Sequence, residues 1–332
     1  EPAIAFMEKG YHVLLEKPMA PTEKECREIT STAIKTDIIF SICHVLRYTQ
    51  YTQQLKKIID NGDIGDIISI QRLEPVGYWH VAHSYVRGNW AKEAISPMLL
   101  AKSCHDLDWI RYFTGCRCTQ ISSFGNLKHF RKENKPNGAA ERCLDCDYER
   151  KCPYSAKKIY LDDRVAQGET GWPSAVLTPD VTVKGVTKAL RTGPYGRCIY
   201  NCDNDVVDHQ VVNMLFEDGK TASFTMTGFN KHSHRKTSIF GTRGEIYGDG
   251  SKIEVFDFLT DNTKVIDTKS GESSILGGHG GGDFGLMKRF VQAVATEDKN
   301  KITSGPQETL ESHLMVFAAE KARKENTVVK MD

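Results

Sequence analysis

The sequence predicts an α/β unit followed by an α+β unit: a small parallel sheet, then a large, mostly antiparallel open sheet covered by helices. Two observations carry this. In the first 45 residues, short apolar runs alternate with helical stretches, the rhythm of a parallel sheet. From Val211 onward, short alternating segments follow one another between turn signals, the pattern of antiparallel strands with one covered face.

"EPAIAFMEKG" (1–10) reads as a helix end, with Ile4 and Met7 on one face and Gly10 as its stop. "YHVLL" (11–15) is a short buried strand. Thr22 and Glu25 have capping-box spacing, which predicts a helix from Thr22 to Lys35. "DIIFSICHV" (37–45) is a second buried strand. "TQQLKKIIDNG" is an amphipathic helix stopped at Gly62, and "DIISIQRLEP" (66–75) a strand. "SPMLLAKSCHDLDWIRYFTG" is a longer helix ending at Gly115, with Leu99, Ile110 and Phe113 in the core. Residues 126–200, rich in Pro, Gly and Cys, read as long loops inserted in the second unit. "VVNMLFEDGKTASFTMTGF" is a hairpin around Asp218-Gly219. "KTSIFGT", "GEIYGD", "KIEVFDFL" and "TKVIDT" continue the sheet. "GGHGGGD" is a glycine loop entering a helix whose apolar side carries Phe284, Met287, Phe290, Val291 and Val294. A last helix spans Pro306 to Lys324.

The bulk numbers exclude several classes. The 332 residues suffice for two domains, drawn here at 1–46 and 47–332. A formal net charge of +1 with no basic block argues against nucleic acid as a partner. No apolar run has membrane-helix length and no leader pattern opens the chain, so the expected location is cytoplasmic, with no membrane partner. Ten cysteines in so long a chain read as reduced thiols or metal ligands rather than a disulfide framework.

Five clusters could carry chemistry. Glu16-Lys17-Pro18 closes the first strand, and ligands of open parallel sheets bind at the carboxyl ends of strands. A lysine there can hold a hydroxyl or act as acid or base; the alternative is a strand end with solvated charges. His105 lies in the long helix with Lys102 three residues before and Asp108 three after, spacing for a shared face. It is a candidate general base, or a surface histidine among ion-pairing neighbours. "CHVLRYTQ" places His44, Arg47 and Tyr48 just past the second strand. "YWHVAHSYVRGNW" packs Trp79, His80, His83, Arg87 and Trp90 into one loop, suited to a polar, ring-shaped ligand or simply to packing. Cys143, Cys146 and Cys152, with Cys202 or Cys198 as a fourth, are either a structural zinc site or ordinary reduced cysteines. His279 sits in the glycine loop, at the edge of a site.

Together, "EPAIAFMEKGYHVLLEKPMA", "CHVLRYT" and "SPMLLAKSCHDLDWIRYFTG" resemble the Gfo/Idh/MocA oxidoreductase family along nearly the whole chain. The resemblance implies the remainder of a Rossmann domain followed by a substrate-binding domain whose open sheet face forms a homo-oligomer interface. It implies NAD or NADP as cofactor and a sugar, polyol or related cyclic alcohol as substrate. Lys17 and His105 would be catalytic, with Lys17 bonded to the reacting hydroxyl and His105 taking its proton. Glu16, Lys17, Pro18, His44, Arg47 and Trp90 would lie toward the cofactor; Tyr48, Trp79, His80, His83, Arg87, Lys102 and His279 toward the substrate. The G-x-G-x-x-G turn of such domains does not occur here, which implies roughly eighty further residues before Glu1. The family often has an aspartate four residues before its histidine; Ala101 stands there. That departure keeps open a non-catalytic, ligand-sensing role on the same fold.

Overall fold

The computed structural model describes residues 1–268 and 278–331. It opens with helix α1 (Pro2–Glu8), strand β1 (Val13–Leu15), helix α2 (Glu23–Lys35) and strand β2 (Phe40–Ile42). Strands β1 and β2 pair in parallel, Val13 opposite Phe40 and Leu15 opposite Ile42. Thr22 caps α2 by accepting from the Glu25 backbone N–H. Met7, Cys26, Ile29, Ala33, Phe40 and Ile42 form a small core of their own.

Helix α3 (Gln50–Asp60) follows, then strand β3 (Ile67–Pro75). A four-residue helix, α4 (Tyr78–Val81), runs into a π-helical segment, Ala82–Arg87. Helix α5 (Met98–Thr114) ends at Gly115, whose φ of 71° puts it in the left-handed region that glycine accepts without strain. Strand β4 (Cys118–Asn126) leads into the insertion, largely short turns plus helix α6 (Val183–Thr192). The rest comprises β5 (His209–Phe216), β6 (Thr221–Thr227), β7 (Lys236–Gly241), β8 (Gly244–Gly248), β9 (Lys252–Asp257), β10 (Asn262–Asp267), α7 (Gly282–Thr296), α8 (Pro306–Glu325) and β11 (Val328–Lys330).

The large sheet has nine strands in the order β10-β9-β8-β7-β3-β6-β5-β4-β11. Strand β3 is central: antiparallel to β7, with Ile70 opposite Ile239, and parallel to β6, with Ile70 opposite Ala222. One face carries α5 and α8, which pack on each other and on the strands and bury Trp109, Phe216, Phe224, Met315 and Val316. The opposite face is open and exposes Ile68, Phe124, Val211 and Tyr247. The expected architecture is therefore the observed one.

Three local differences have physical causes. Strand β4, "CTQISSFGN", has too little apolar alternation to be read as a strand, yet Cys118 and Ile121 are buried and β5 pairs along its length. Helix α6 lies inside the expected loops; Thr182 caps it, accepting from Gly185 N–H at 3.1 Å, and Val186 and Leu190 bury. On α7, Leu286 and Ala293 are buried, and of the expected apolar side Phe290 and Val294 are half-buried while Phe284, Met287 and Val291 are exposed, so that side faces inward only in part. Gly277, the first glycine of the expected loop, lies outside the described residues.

Candidate functional site

Strand β1 ends at Leu15 and delivers Glu16, Lys17 and Pro18 to its carboxyl end, with the Lys17–Pro18 peptide cis. The lysine reaches across to the second unit: Lys17 Nζ donates to the Ala101 carbonyl of α5 at 3.1 Å. One helical turn beyond Ala101 is His105, on the same face. It is buried, and its Nδ1 has no hydrogen-bond partner. Burial holds its pKa well below the usual imidazole range, and the Lys17 and His44 charges push the same way. A neutral imidazole near pH 7 can accept a proton.

Strand β2 ends one residue before Cys43 and delivers His44, whose ring centroid lies 5.6 Å from that of His105. Both His44 nitrogens are buried without hydrogen bonds, and burial pushes the pKa down to about 3 despite Asp108 at 3.6 Å. His279 approaches from the other side, its centroid 6.3 Å from His105, with Nδ1 held by the Asp283 carboxylate at 3.0 Å. Glu16 is close enough to Cys43 to raise that thiol's pKa, after the larger effect of burial. The structure thus gathers Glu16, Lys17, His44, His105 and His279 from four separate segments.

Lys102 turns aside from His105 to Glu74, at 3.3 Å. Glu74 also meets Arg235 at 2.8 Å, and Arg235 and Arg72 both hold Asp106 at 2.7 Å. This buried network supports α5 from beneath and fixes Lys102. Beyond it stands an aromatic wall: His80 stacks on Trp79 at 5.6 Å, meets Trp172 at 5.0 Å and His232 at 5.8 Å. Burial, then Lys102, pushes the His80 pKa down to about 2. Sequence reasoning missed Trp172, His232, Glu74 and Arg235. Trp172 comes from the insertion and His232 from the segment after β6, so no local pattern ties either to Trp79; the Trp172-Pro173 dipeptide was the available signal.

Other expected ligand contacts are engaged elsewhere. Arg47 is fully buried and forks onto Asp108, with both bonds at 2.7 Å; it also holds Glu308 at 2.8 Å and the Thr303 carbonyl. Tyr48 bonds Ser304 Oγ at 2.9 Å. These two side chains therefore tie the turn after β2 to the start of α8. His83 bonds Tyr160 at 2.8 Å and stacks on Tyr195. Arg87 reaches Arg197 O and Tyr154 O, inside the insertion. Trp90 is exposed, just past the π-helical segment, with its backbone N–H on Ser84 O.

The zinc expectation is corrected. Among the described residues, no three His, Cys, Asp or Glu side chains are placed to share one metal ion. Cys143, Cys146, Cys152 and Cys198 line one small cavity, but Cys202 turns away, its Sγ on the Cys198 carbonyl at 3.3 Å. Among the described residues, no helix is long and apolar enough to cross a membrane.

Comparison with known proteins fits this arrangement. Putative oxidoreductase YteT of Bacillus subtilis is 22% identical over 83% of this chain, which spans 65% of that protein's length. D-glucoside 3-dehydrogenase of Escherichia coli is 36% identical over 20% of this chain and 19% of its own. Two solved structures share the fold. An oxidoreductase from Agrobacterium radiobacter, in complex with NAD+, L-tartaric acid and magnesium, has a TM-score of 0.67 at 12% identity, covering 99% of this chain and 75% of its own. Levoglucosan dehydrogenase, in complex with NADH and L-sorbose, scores 0.68 at 16% identity, covering 99% and 76%. Residues 56–331 match the C-terminal alpha/beta domain of an oxidoreductase family and residues 1–44 its NAD-binding Rossmann fold, so the chain belongs to the Gfo/Idh/MocA oxidoreductase family.

Proposed function

We propose that the whole protein is an NAD- or NADP-dependent dehydrogenase of a sugar, polyol or related cyclic alcohol, with Lys17 and His105 as its catalytic pair. One observation carries this reading. The lysine at the end of β1 bonds the Ala101 carbonyl, one helical turn before a neutral imidazole, His105, whose buried Nδ1 has no hydrogen-bond partner among the described residues. The residues at the ends of β1 and β2 fit a nicotinamide: the buried His44 nitrogens have no hydrogen-bond partner among the described residues. When bound there, that group supplies the hydride acceptor. Lys17 holds the substrate hydroxyl by exchanging its bond to the Ala101 carbonyl for one to the ligand. His105 Nδ1 or its second nitrogen takes the hydroxyl proton. Trp79, His80 and Trp172 give the ring-shaped substrate an aromatic wall, and Lys102 and His232 lie at its polar edge. The relatives named as dehydrogenases of glucosides and levoglucosan support this substrate class. The open sheet face is proposed as the surface through which copies of the chain associate.

The test is reduction of NAD+ and NADP+ by the full-length enzyme against a panel of sugars and polyols. Lys17→Ala and His105→Ala should each lower kcat by about 10²–10⁴. Wild-type turnover in both variants, or no turnover with any substrate despite ligand binding, would favour a ligand-sensing protein instead. Ala101 is the observation on that side: it leaves His105 without a carboxylate one turn before it to orient the ring.

A further inference from the structure

We propose that Cys143, Cys146, Cys152 and Cys198 ligate a four-iron, four-sulfide cluster within the insertion, apart from Lys17 and His105. The first support is convergence. Cysteines from two distant stretches of the sequence line one small cavity. Cys143 opens one short turn and Cys152 closes another. An antiparallel bridge between Arg142 and Arg197, with Cys198 N–H donating to Glu141 O at 2.8 Å, lays the fourth cysteine beside the first. The cavity these four line gives about 20 Å³ of room to water centres. Set back by a water radius, its walls enclose roughly 100 Å³. Other cysteines do not join: neither Cys202, whose Sγ faces the Cys198 carbonyl, nor Cys118 is among the residues that line the cavity.

The second support is spacing. The four thiols surround a cavity, yet no three ligand-type side chains among the described residues could share one ion. Zinc needs its sulfurs gathered at a point. An iron–sulfur core places one iron at each cysteine with sulfides between, so its ligands stand around a body.

The third support is charge. Arg87 is 2% exposed and has no carboxylate among its bonds. Its Nη2 meets Cys143 Sγ at 3.5 Å, and its Nη1 is buried without an acceptor. Arg142 lines the same cavity, and its Nε is likewise buried without an acceptor. Glu149, also on the wall, is bonded to Ser155 at 2.5 Å and lies beside Arg150. A buried guanidinium, Arg87, and a half-buried one, Arg142, thus face the four cysteines, an arrangement that is costly unless an anion completes it. A core held by four thiolates is that anion. Equal numbers of ferrous and ferric ions with sulfide replace the four thiol protons, which leave to solvent; no residue changes oxidation state. The cluster would clamp the insertion that delivers Trp172 to the aromatic wall.

The experiment is anaerobic purification of the full chain, with chemical assay of iron and acid-labile sulfide, visible absorbance and electron paramagnetic resonance after reduction. The expected result is about four iron and four sulfide per chain. Cys143→Ser and Cys198→Ser should lose the cluster, whereas Cys202→Ser and Cys118→Ser keep it. Zinc in place of iron, or no iron bound even after anaerobic reconstitution with iron and sulfide, would overturn the proposal. So would loss of the cluster in Cys202→Ser with retention in Cys198→Ser. The wild-type metal content decides the matter even if a serine variant fails to fold.

Discussion

At the scale of single residues, the unusual feature is the number of histidines buried as neutral rings. Burial holds His105 well below its usual pKa, His44 at about 3 and His83 at about 4. Each binds a proton near pH 6.5 once unfolded, but not while folded. Stability should therefore fall as pH drops from about 6.5 toward 4, by up to about 1.4 kcal/mol per pH unit for each such histidine. Asp106 and Asp108, depressed by Arg235 and Arg47 against the opposing effect of burial, add a separate loss only below the normal carboxylate range. Urea unfolding midpoints measured from pH 7 to 4.5 check this, with His44→Gln expected to flatten the slope. A wild-type midpoint that stays level across that range would sink the idea. That Lys17 and His105 would come near each other was legible at this scale because a motif carries each of them. Arg47, equally conspicuous in sequence, was not: its role depends on Asp108, sixty-one positions away, and on Glu308 beyond that.

At the scale of elements, apolar periodicity located α2, α3, α5, α8 and most strands, because each buries one face against its own unit. It misled on α7. The sequence offers Phe284, Met287 and Val291 at helical spacing, the signature of an inward stripe. The fold instead seats that helix through Gly282 and Gly285 on the turn at Val45–Tyr48, where a Cβ at either glycine would lie 2.4 Å from Val45 O or 2.7 Å from Tyr48 O. Backbone contact, invisible to a hydrophobic pattern, decided which side faces in. The stripe should accordingly be tolerant in this chain. Met287→Lys should change unfolding free energy by less than about 0.5 kcal/mol, whereas Leu286→Ala should cost about 2–5 kcal/mol. Denaturation curves of the two variants, compared with wild type, provide the check. A large loss for Met287→Lys would mean that α7 is covered on that side.

At the scale of the whole molecule, the nine-stranded sheet has one face under α5 and α8 and one open. On the open face Phe124 and Val211 are cross-strand partners, 59% and 37% exposed, with Ile68 and Tyr247 further along. These apolar neighbours are the basis for the proposal that copies of the chain associate through this face. Sedimentation or light scattering should show an oligomer, and Phe124→Lys with Val211→Lys should give monomers of unchanged secondary structure. An oligomer that survives both lysines would place the interface elsewhere. The sheet itself was readable from alternation; its order was not, because strand order is set by pairings across more than a hundred residues.

The central place of β3 has a consequence for how the chain is made. It leaves the ribosome early, yet both its neighbours, β6 and β7, begin at Thr221 and Lys236. Until then a nine-residue strand has neither edge satisfied, and loop closure over such a span is slow. Nascent chains halted before Thr221 should be protease-sensitive and bind chaperones through this segment, while those extended past Gly241 become resistant. Pulse proteolysis of stalled chains of graded length would locate the transition; resistance already present before β6 emerges would show that the sheet is assembled outward from another strand.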